Sequence, residues 1–255
     1  MAREIPTRFR PLVGLAAGLA GGFFGALVGV GGGAIMVPLM TLLAGVSQHK
    51  AHGTSLVAIV FTGAVGALAY SIHKAVDWKV ALLLAVCAML TARLGALYAH
   101  SLPEKNLRRA FGAFLVFISL TLLSKGYLLH TSLALPFWPR TAVLAATGVL
   151  AGFVSGMMGV GGGGIMVPPM VILAGMGQHL AQGTSLLAMV FIGGSGAYTH
   201  YRLGNVATRV AGGLIAGALI GGYLGGEAAN MMPDFYLKLV FVAVGVWMGI
   251  RYLRS

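Results

Sequence analysis

The chain has 255 residues, 58% of them hydrophobic and 9% charged, whereas a soluble domain carries about 25% charged residues; composition alone excludes an ordinary water-soluble enzyme. Its 40 glycines show no G-X-Y period and sit inside long apolar runs, which excludes collagen and disorder and suits membrane helices. Seventeen Lys and Arg against five Asp and Glu give a net charge of +12, but the cations lie at the ends of apolar runs, where cytoplasmic loops and anionic headgroups attract them, so no nucleic-acid partner is expected.

A helical span needs about 20 apolar residues, and the chain holds enough apolar length for eight to ten of them. Arg3, Arg8 and Arg10 precede the first apolar run, Pro11–Val28. No polar mature domain follows, so this reads as a first span with a cytoplasmic N-terminus rather than a secretory signal. A glycine cluster, Gly29 to Gly33, leads into a short apolar piece, 34–45. Three longer segments follow at 54–72, 78–100 and 107–129. The plan then recurs: 141–158, a second glycine cluster, a short piece at 164–175, and segments at 184–201, 210–230 and 235–253. Cys87 is the single cysteine and lies among Leu83, Leu84, Val86 and Met89, so it reads as core filler with no disulfide or thiolate metal site.

The recurrence is an internal duplication. A shift of 130 positions aligns 18–108 with 148–238 without a gap, and 23 of the 33 positions in 29–61 are identical to their counterparts. The strings GVGGGAIMVP (29–38) and GVGGGGIMVP (159–168) match best, followed by LAGVSQHKAHGTSL (43–56) and LAGMGQHLAQGTSL (173–186). The expected architecture is an all-α polytopic membrane protein of two homologous repeats, 11–129 and 137–253, each of about five helical segments including one short or broken one.

The short piece of 12 residues makes about 18 Å of helix against a hydrocarbon core of about 30 Å, so it cannot cross alone. If it returns to its side of entry, each repeat has four spans and the two are parallel; if it crosses, each has five and they are inverted. With a cytoplasmic N-terminus both arrangements put eleven loop cations inside and five outside, with Arg93 left within a span. Lys50 has no cationic partner in 176–183, and the Lys105, Arg108, Arg109 loop faces a more acidic 227–238 region, which favours inversion. The matches of Lys74 and Lys79 with Arg202 and Arg209 argue the other way. The balance favours five plus five, inverted.

Irregular backbone at membrane depth is tolerated only where protein or a water-filled cavity satisfies it. Glycine lets backbone approach a ligand closely, and a short helix starting near Gly33 would aim free N–H groups and about half a positive charge at such a cavity. Gly31, Gly32 and Gly33 with Gly161, Gly162 and Gly163 are therefore candidate anion ligands, two half-helix starts facing one pocket as in discontinuous-helix transporters. The alternative is that these glycines only let helices pack closely. Gln48 and His49 with Thr54 and Ser55, and Gln178 and His179 with Thr184 and Ser185, form the second repeated polar group. Their hydroxyls either N-cap the following run or donate to substrate oxygens. His49 and His179 change charge near physiological pH and are candidates for a substrate or proton role. Arg93 either snorkels to the surface or lines an anion path.

Other chemistries fit poorly. Neither glycine cluster is followed by Lys-Ser or Lys-Thr, so there is no P-loop, and no Rossmann context exists. His49 and His52 share a helical face, but Gln182 replaces the second histidine in the other copy and no carboxylate completes a metal set. Glu4, Asp77, Glu104, Glu227 and Asp234 all lie near segment ends, which disfavours a cation substrate and leaves no nucleophile, base and orienting acid for a membrane enzyme. No cofactor and no ATPase signature is expected. At these residues the sequence resembles the sulfite exporter TauE/SafE family, also called toluene-sulfonate uptake permeases, over roughly residues 11–253. The resemblance implies a secondary transporter of sulfur-containing oxyanions, sulfite or organosulfonates such as sulfoacetate, in a bacterial-type inner membrane. Export is the expected direction; an importer of another small organic anion and an anion channel are the alternatives, and the sequence leaves room for a homo-oligomer.

Overall fold

The computed structural model describes residues 10–128 and 137–231, with scattered positions between 233 and 254. The tenth expected segment, 235–253, lies almost wholly outside the described residues, as do Glu4 and Asp234. Every described element is helical: α1 (Arg10–Val28), α2 (Gly33–Leu43), α3 (Gln48–Ile72), α4 (Trp78–Ser101), α5 (Glu104–Leu128), α6 (Phe137–Met158), α7 (Gly163–Ile172), α8 (Gln178–Arg202) and α9 (Thr208–Met231). Helices α1, α3, α4, α6, α8 and α9 are long and apolar enough to cross a membrane. The chain is a multi-pass membrane protein.

Helices α2 and α7 have 11 and 10 residues, about 16 and 15 Å, half a bilayer core. Each is launched by a glycine in the left-handed region, Gly32 at φ 86° and Gly162 at φ 84°, a conformation that a residue with a Cβ rarely adopts. The turn folds α2 back along α1: a Cβ on Gly25 would fall 2.2 Å from the Gly32 nitrogen, and one on Gly21 would strike the Met36 side chain.

Small residues set the rest of the packing. Helix α1 lies parallel to α9 at backbone contact, Gly14 against Val210, Gly18 against Leu214 and Gly22 against Ala218. Helix α4 lies parallel to α6, with Gly148 on Leu84, Gly152 on Ala88 and Gly156 on Ala92. At the centre α3 runs antiparallel to α8: Gly53 meets His200 and Asn205 at one end, and Gly183 meets Tyr70 and Ala75 at the other. The large side chains of α4 that face outward, Leu82, Leu90 and Leu94, are exposed, as lipid-facing positions should be.

Two boundaries differ from the sequence reading. Helices α3 and α8 begin at Gln48 and Gln178, six residues before the apolar runs that Thr54 and Thr184 open, so these threonines lie in the second turn and are not N-caps. Tertiary partners explain the extra turn. The Gln48 backbone N–H donates to Glu104 Oε1 at 2.8 Å, and His49 Nε2 donates to the carbonyls of Ala99 (3.1 Å) and Leu102 (3.2 Å), satisfying backbone groups at the exposed ends of both helices.

Candidate functional site

The two glycine turns meet at the centre of the bundle. A Cβ on Gly33 would sit 2.0 Å from the Gly159 carbonyl oxygen, and one on Gly163 2.2 Å from that of Gly29. Gly31 and Gly161 both lie against Met189 Sδ and Ile59. The starts of α2 and α7 are thus brought head to head, as the repeat predicted. They are packed against each other rather than across an open cavity, because Met189 and Ile59, both fully buried, fill the space beside the turns.

The polar residues of each repeat serve the turn of the other. Ser55 Oγ donates to the Gly159 carbonyl (2.7 Å) and its own helix's His52 carbonyl (2.8 Å); Ser185 Oγ does the same for Gly29 (2.8 Å) and Gln182 (2.7 Å). Thr54 Oγ1 donates to the Lys50 carbonyl at 2.6 Å and accepts from the Ala207 N–H at 2.8 Å. Thr184 Oγ1 accepts from the Asp77 N–H at 2.9 Å. The threonines are struts that hold the α8–α9 and α3–α4 connections. Removing either leaves a part-buried N–H unpaired, so Thr54→Ala and Thr184→Ala should each lower the free energy of unfolding by about 1–3 kcal/mol, read as a lower melting temperature in detergent. Unchanged melting would show that water replaces the hydroxyl.

Gln48 is fully buried and its side-chain amide donates to His52 Nε2 at 3.1 Å. His49 and His179 sit at helix starts, part-buried, bonded to carbonyls at the ends of α4 and α9: His179 donates to Ala229 at 3.2 Å. They are 130 residues apart in sequence and lie at opposite ends of the bundle, not in one pocket. Arg93 is exposed and lines a cavity of about 480 Å³ between α4 and α8 together with Ser195, Tyr198, Thr199 and Arg202. Arg202 donates to the Tyr198 hydroxyl at 3.2 Å. The sequence reading used this second arginine only in the charge comparison, set against Lys74, and did not place it beside Arg93. Three acids have structural partners: Asp77 caps α4 by accepting from the Lys79 and Val80 N–H groups, Glu104 accepts from Gln48, and Glu227 lies 3.4 Å from His73. Among the described residues no group of three His, Cys, Asp or Glu could hold a metal ion.

Membrane-length helices enclosing two short ones that meet at the centre of the bundle form the scaffold of a membrane transporter. Residues 13–252 match the family described as Sulfite exporter TauE/SafE, and the chain belongs to that family. It is 30% identical to the probable membrane transporter protein YunE of Bacillus subtilis over 92% of this chain and 94% of that one. It is 28% identical to a probable membrane transporter protein of Xylella fastidiosa over 96% and 94%. A shorter match, 34% identical over 38% of this chain and 23% of the other, is to the Sulfite exporter TauE/SafE family protein 5 of Arabidopsis thaliana. No solved structure matches.

Proposed function

We propose that this protein is a secondary carrier that exports small sulfur-containing oxyanions, sulfite or organosulfonates such as sulfoacetate, across a bacterial inner membrane. One observation carries the reading: the starts of α2 and α7 meet head to head in the buried centre of the bundle. Each start brings about half a positive charge, and two such ends are mutually repulsive in a low-dielectric core unless an anion lies between them. Gly31, Gly32, Gly33, Gly161, Gly162 and Gly163 then supply backbone N–H groups when the turns part. Ser55 and Ser185 rotate their hydroxyls from the facing carbonyls to the substrate oxygens. Gln48, His49, Thr54 and their counterparts Gln178, His179 and Thr184 frame the two approaches.

The repeats are taken as inverted, five segments each. The antiparallel crossing of the equivalent helices α3 and α8 supports this, because an axis relating them lies in the membrane plane. Lys50, Lys105, Arg109, Arg202 and Arg209 then fall at the end where α1 begins, and Lys74, Lys79 and Arg140 at the other. The positive-inside rule makes the first end cytoplasmic.

Flux in proteoliposomes with sulfite, sulfate, sulfoacetate and taurine tests the assignment. Saturable uptake with counterflow of one sulfur oxyanion is expected; non-saturating flux would make the protein a channel, and no flux of any of the four would overturn the substrate class. The Arg93 cavity is the cytoplasmic approach for the anion. Arg93→Gln and Arg202→Gln should each raise KM about fivefold, the worth of an exposed ion pair near 1 kcal/mol, and the effect should shrink at high salt. An unchanged KM at low salt would make Arg93 a snorkelling residue.

A further inference from the structure

Among the interior positions where the 130-residue relation changes residue type, two lie on the caps of the broken-helix turns. In the first broken helix, the carbonyls at the end of α1 are held by neutral groups: the Gln182 amide donates to Val28 at 3.2 Å and the Tyr70 hydroxyl to Ala26 at 3.3 Å. The equivalent carbonyls at the end of α6 are held by two histidines. His52 donates from Nδ1 to Met158, and His200 donates from Nε2 to Gly156 at 2.8 Å. Positions 52 and 182 correspond, as do 70 and 200, so the duplication has exchanged a Gln–Tyr cap for a His–His cap on the same backbone atoms.

Both rings are fully buried, and each spends one N–H on a carbonyl, so its other nitrogen is a lone pair. That of His52 accepts from the Gln48 amide at 3.1 Å. That of His200, Nδ1, has no partner among the described residues, and neither does Gln48 Oε1, which is also buried. A half-turn of the Gln48 amide would replace its donor by this free acceptor, so Gln48 can serve His52 with a lone pair or with a proton on Nε2. An imidazolium here also stands at the C-terminal, negative end of α6.

The groups facing this pair are few. On α3 His49 lies one turn before His52; on α4 His100 lies with its ring centroid 6.4 Å from that of His49 and accepts from Asn205 at 3.0 Å. On α5 Glu104 holds the Gln48 backbone and Phe111 packs edge-on to His52. Helix α6 also carries the buried hydroxyl of Ser155, next in sequence to Gly156 and without a partner among the described residues, while its one cation, Arg140, is at the far end. Exposed His100 and part-buried His49 therefore form a step between solvent and the buried pair.

We propose that Gln48, His52 and His200 form a proton-binding site in the cytoplasmic half of the carrier, and that a proton taken up there accompanies the oxyanion across the membrane. The site rests on the carrier reading above and names its coupling ion. The balance is simple: one proton adds to an imidazole nitrogen on loading and leaves it on release, and its charge offsets that of the anion entering the core. The other half has only Gln182 and Tyr70, which do not change charge over this range, so proton uptake is confined to one side.

The repeat supplies its own test variant, H52Q with H200Y, which installs the residues that the other half uses at the same positions. In proteoliposomes holding a pH-reporting dye, sulfoacetate export by the wild type should carry protons with it and quicken as the cytoplasmic face is acidified, by up to about tenfold per pH unit for one proton. The swapped variant should move sulfoacetate without protons and without that dependence. Coupled proton flow in the variant overturns the proposal. Independently of any transported anion, 15N-histidine NMR of the protein in micelles should show a buried ring that takes up a proton as the sample is acidified while the fold is retained, a signal that the single variant H52Q loses. If no buried ring titrates, the proposal fails. If the wild type carries none of the four anions, the oxyanion reading fails and the NMR titration still decides the proton site.

Discussion

Gly33→Ala should abolish anion flux, a loss of at least about a hundredfold, in a protein that still inserts into the membrane. Gly33 has ordinary helical geometry, outside the set of glycines at positive φ, so the substitution introduces no backbone strain of its own. Its methyl group would lie 2.0 Å from the Gly159 carbonyl oxygen and 2.8 Å from the Val160 Cα. Both are backbone atoms that no rotamer change can move, so the two turns must part. Overpacking of this kind costs about 1–3 kcal/mol, which a bundle of nine or more helices can bear, while the head-to-head meeting of α2 and α7 is lost. Gly163→Ala, facing the Gly29 carbonyl at 2.2 Å, should behave alike, and Gly212→Ala, with nothing within 4 Å and no positive φ, is the control for a glycine that touches nothing. Flux per inserted molecule and the melting temperature in detergent are the two readouts. Wild-type flux together with a lowered melting temperature would reduce the turns to packing devices. Gly32→Leu is a harsher change: at φ 86° and 2.0 Å from the Gly21 carbonyl, it should prevent the α1–α2 hairpin from closing, so lost transport in that variant would report misfolding.

The architecture was legible because apolar length and duplication are properties of the chain itself. A run too short to cross, repeated after a glycine cluster, predicts a broken helix whatever surrounds it, and α2 and α7 are the result. The string Gln48 to Gly53 was not legible as helix, because its polarity resembles a loop until Glu104 and the α4 carbonyls are brought to it by folding. Thr54 and Thr184 were weighed as caps or ligands, and they are not caps: their partners, the N–H groups of Ala207 and Asp77, lie more than a hundred residues away in sequence. The mismatch of His52 with Gln182 was visible and counted against a metal site. Its meaning depends on which carbonyl each side chain reaches, and no spacing along the chain carries that information.

Ser55→Ala together with Ser185→Ala should raise the KM for the transported anion by about tenfold or more at each site, with a smaller effect on stability. In the packed state each hydroxyl donates to the first glycine carbonyl of the opposite turn, at 2.7 and 2.8 Å. A neutral bond of this kind contributes about 0.5–1.5 kcal/mol, whereas the same hydroxyl turned onto an oxyanion contributes about 1.5–3 kcal/mol. The difference favours the anion, so the turns release the serines only when the substrate arrives to take them. Both hydroxyls are fully buried, so bulk water does not compete for them. The single variants should each show about half of the double variant's effect in free energy if the two serines grip the anion from opposite sides, since their contributions are then independent. If the double variant melts lower but binds the anion as tightly as the wild type, the serines only tie the two repeats together, and the oxyanion must be held by backbone N–H groups alone.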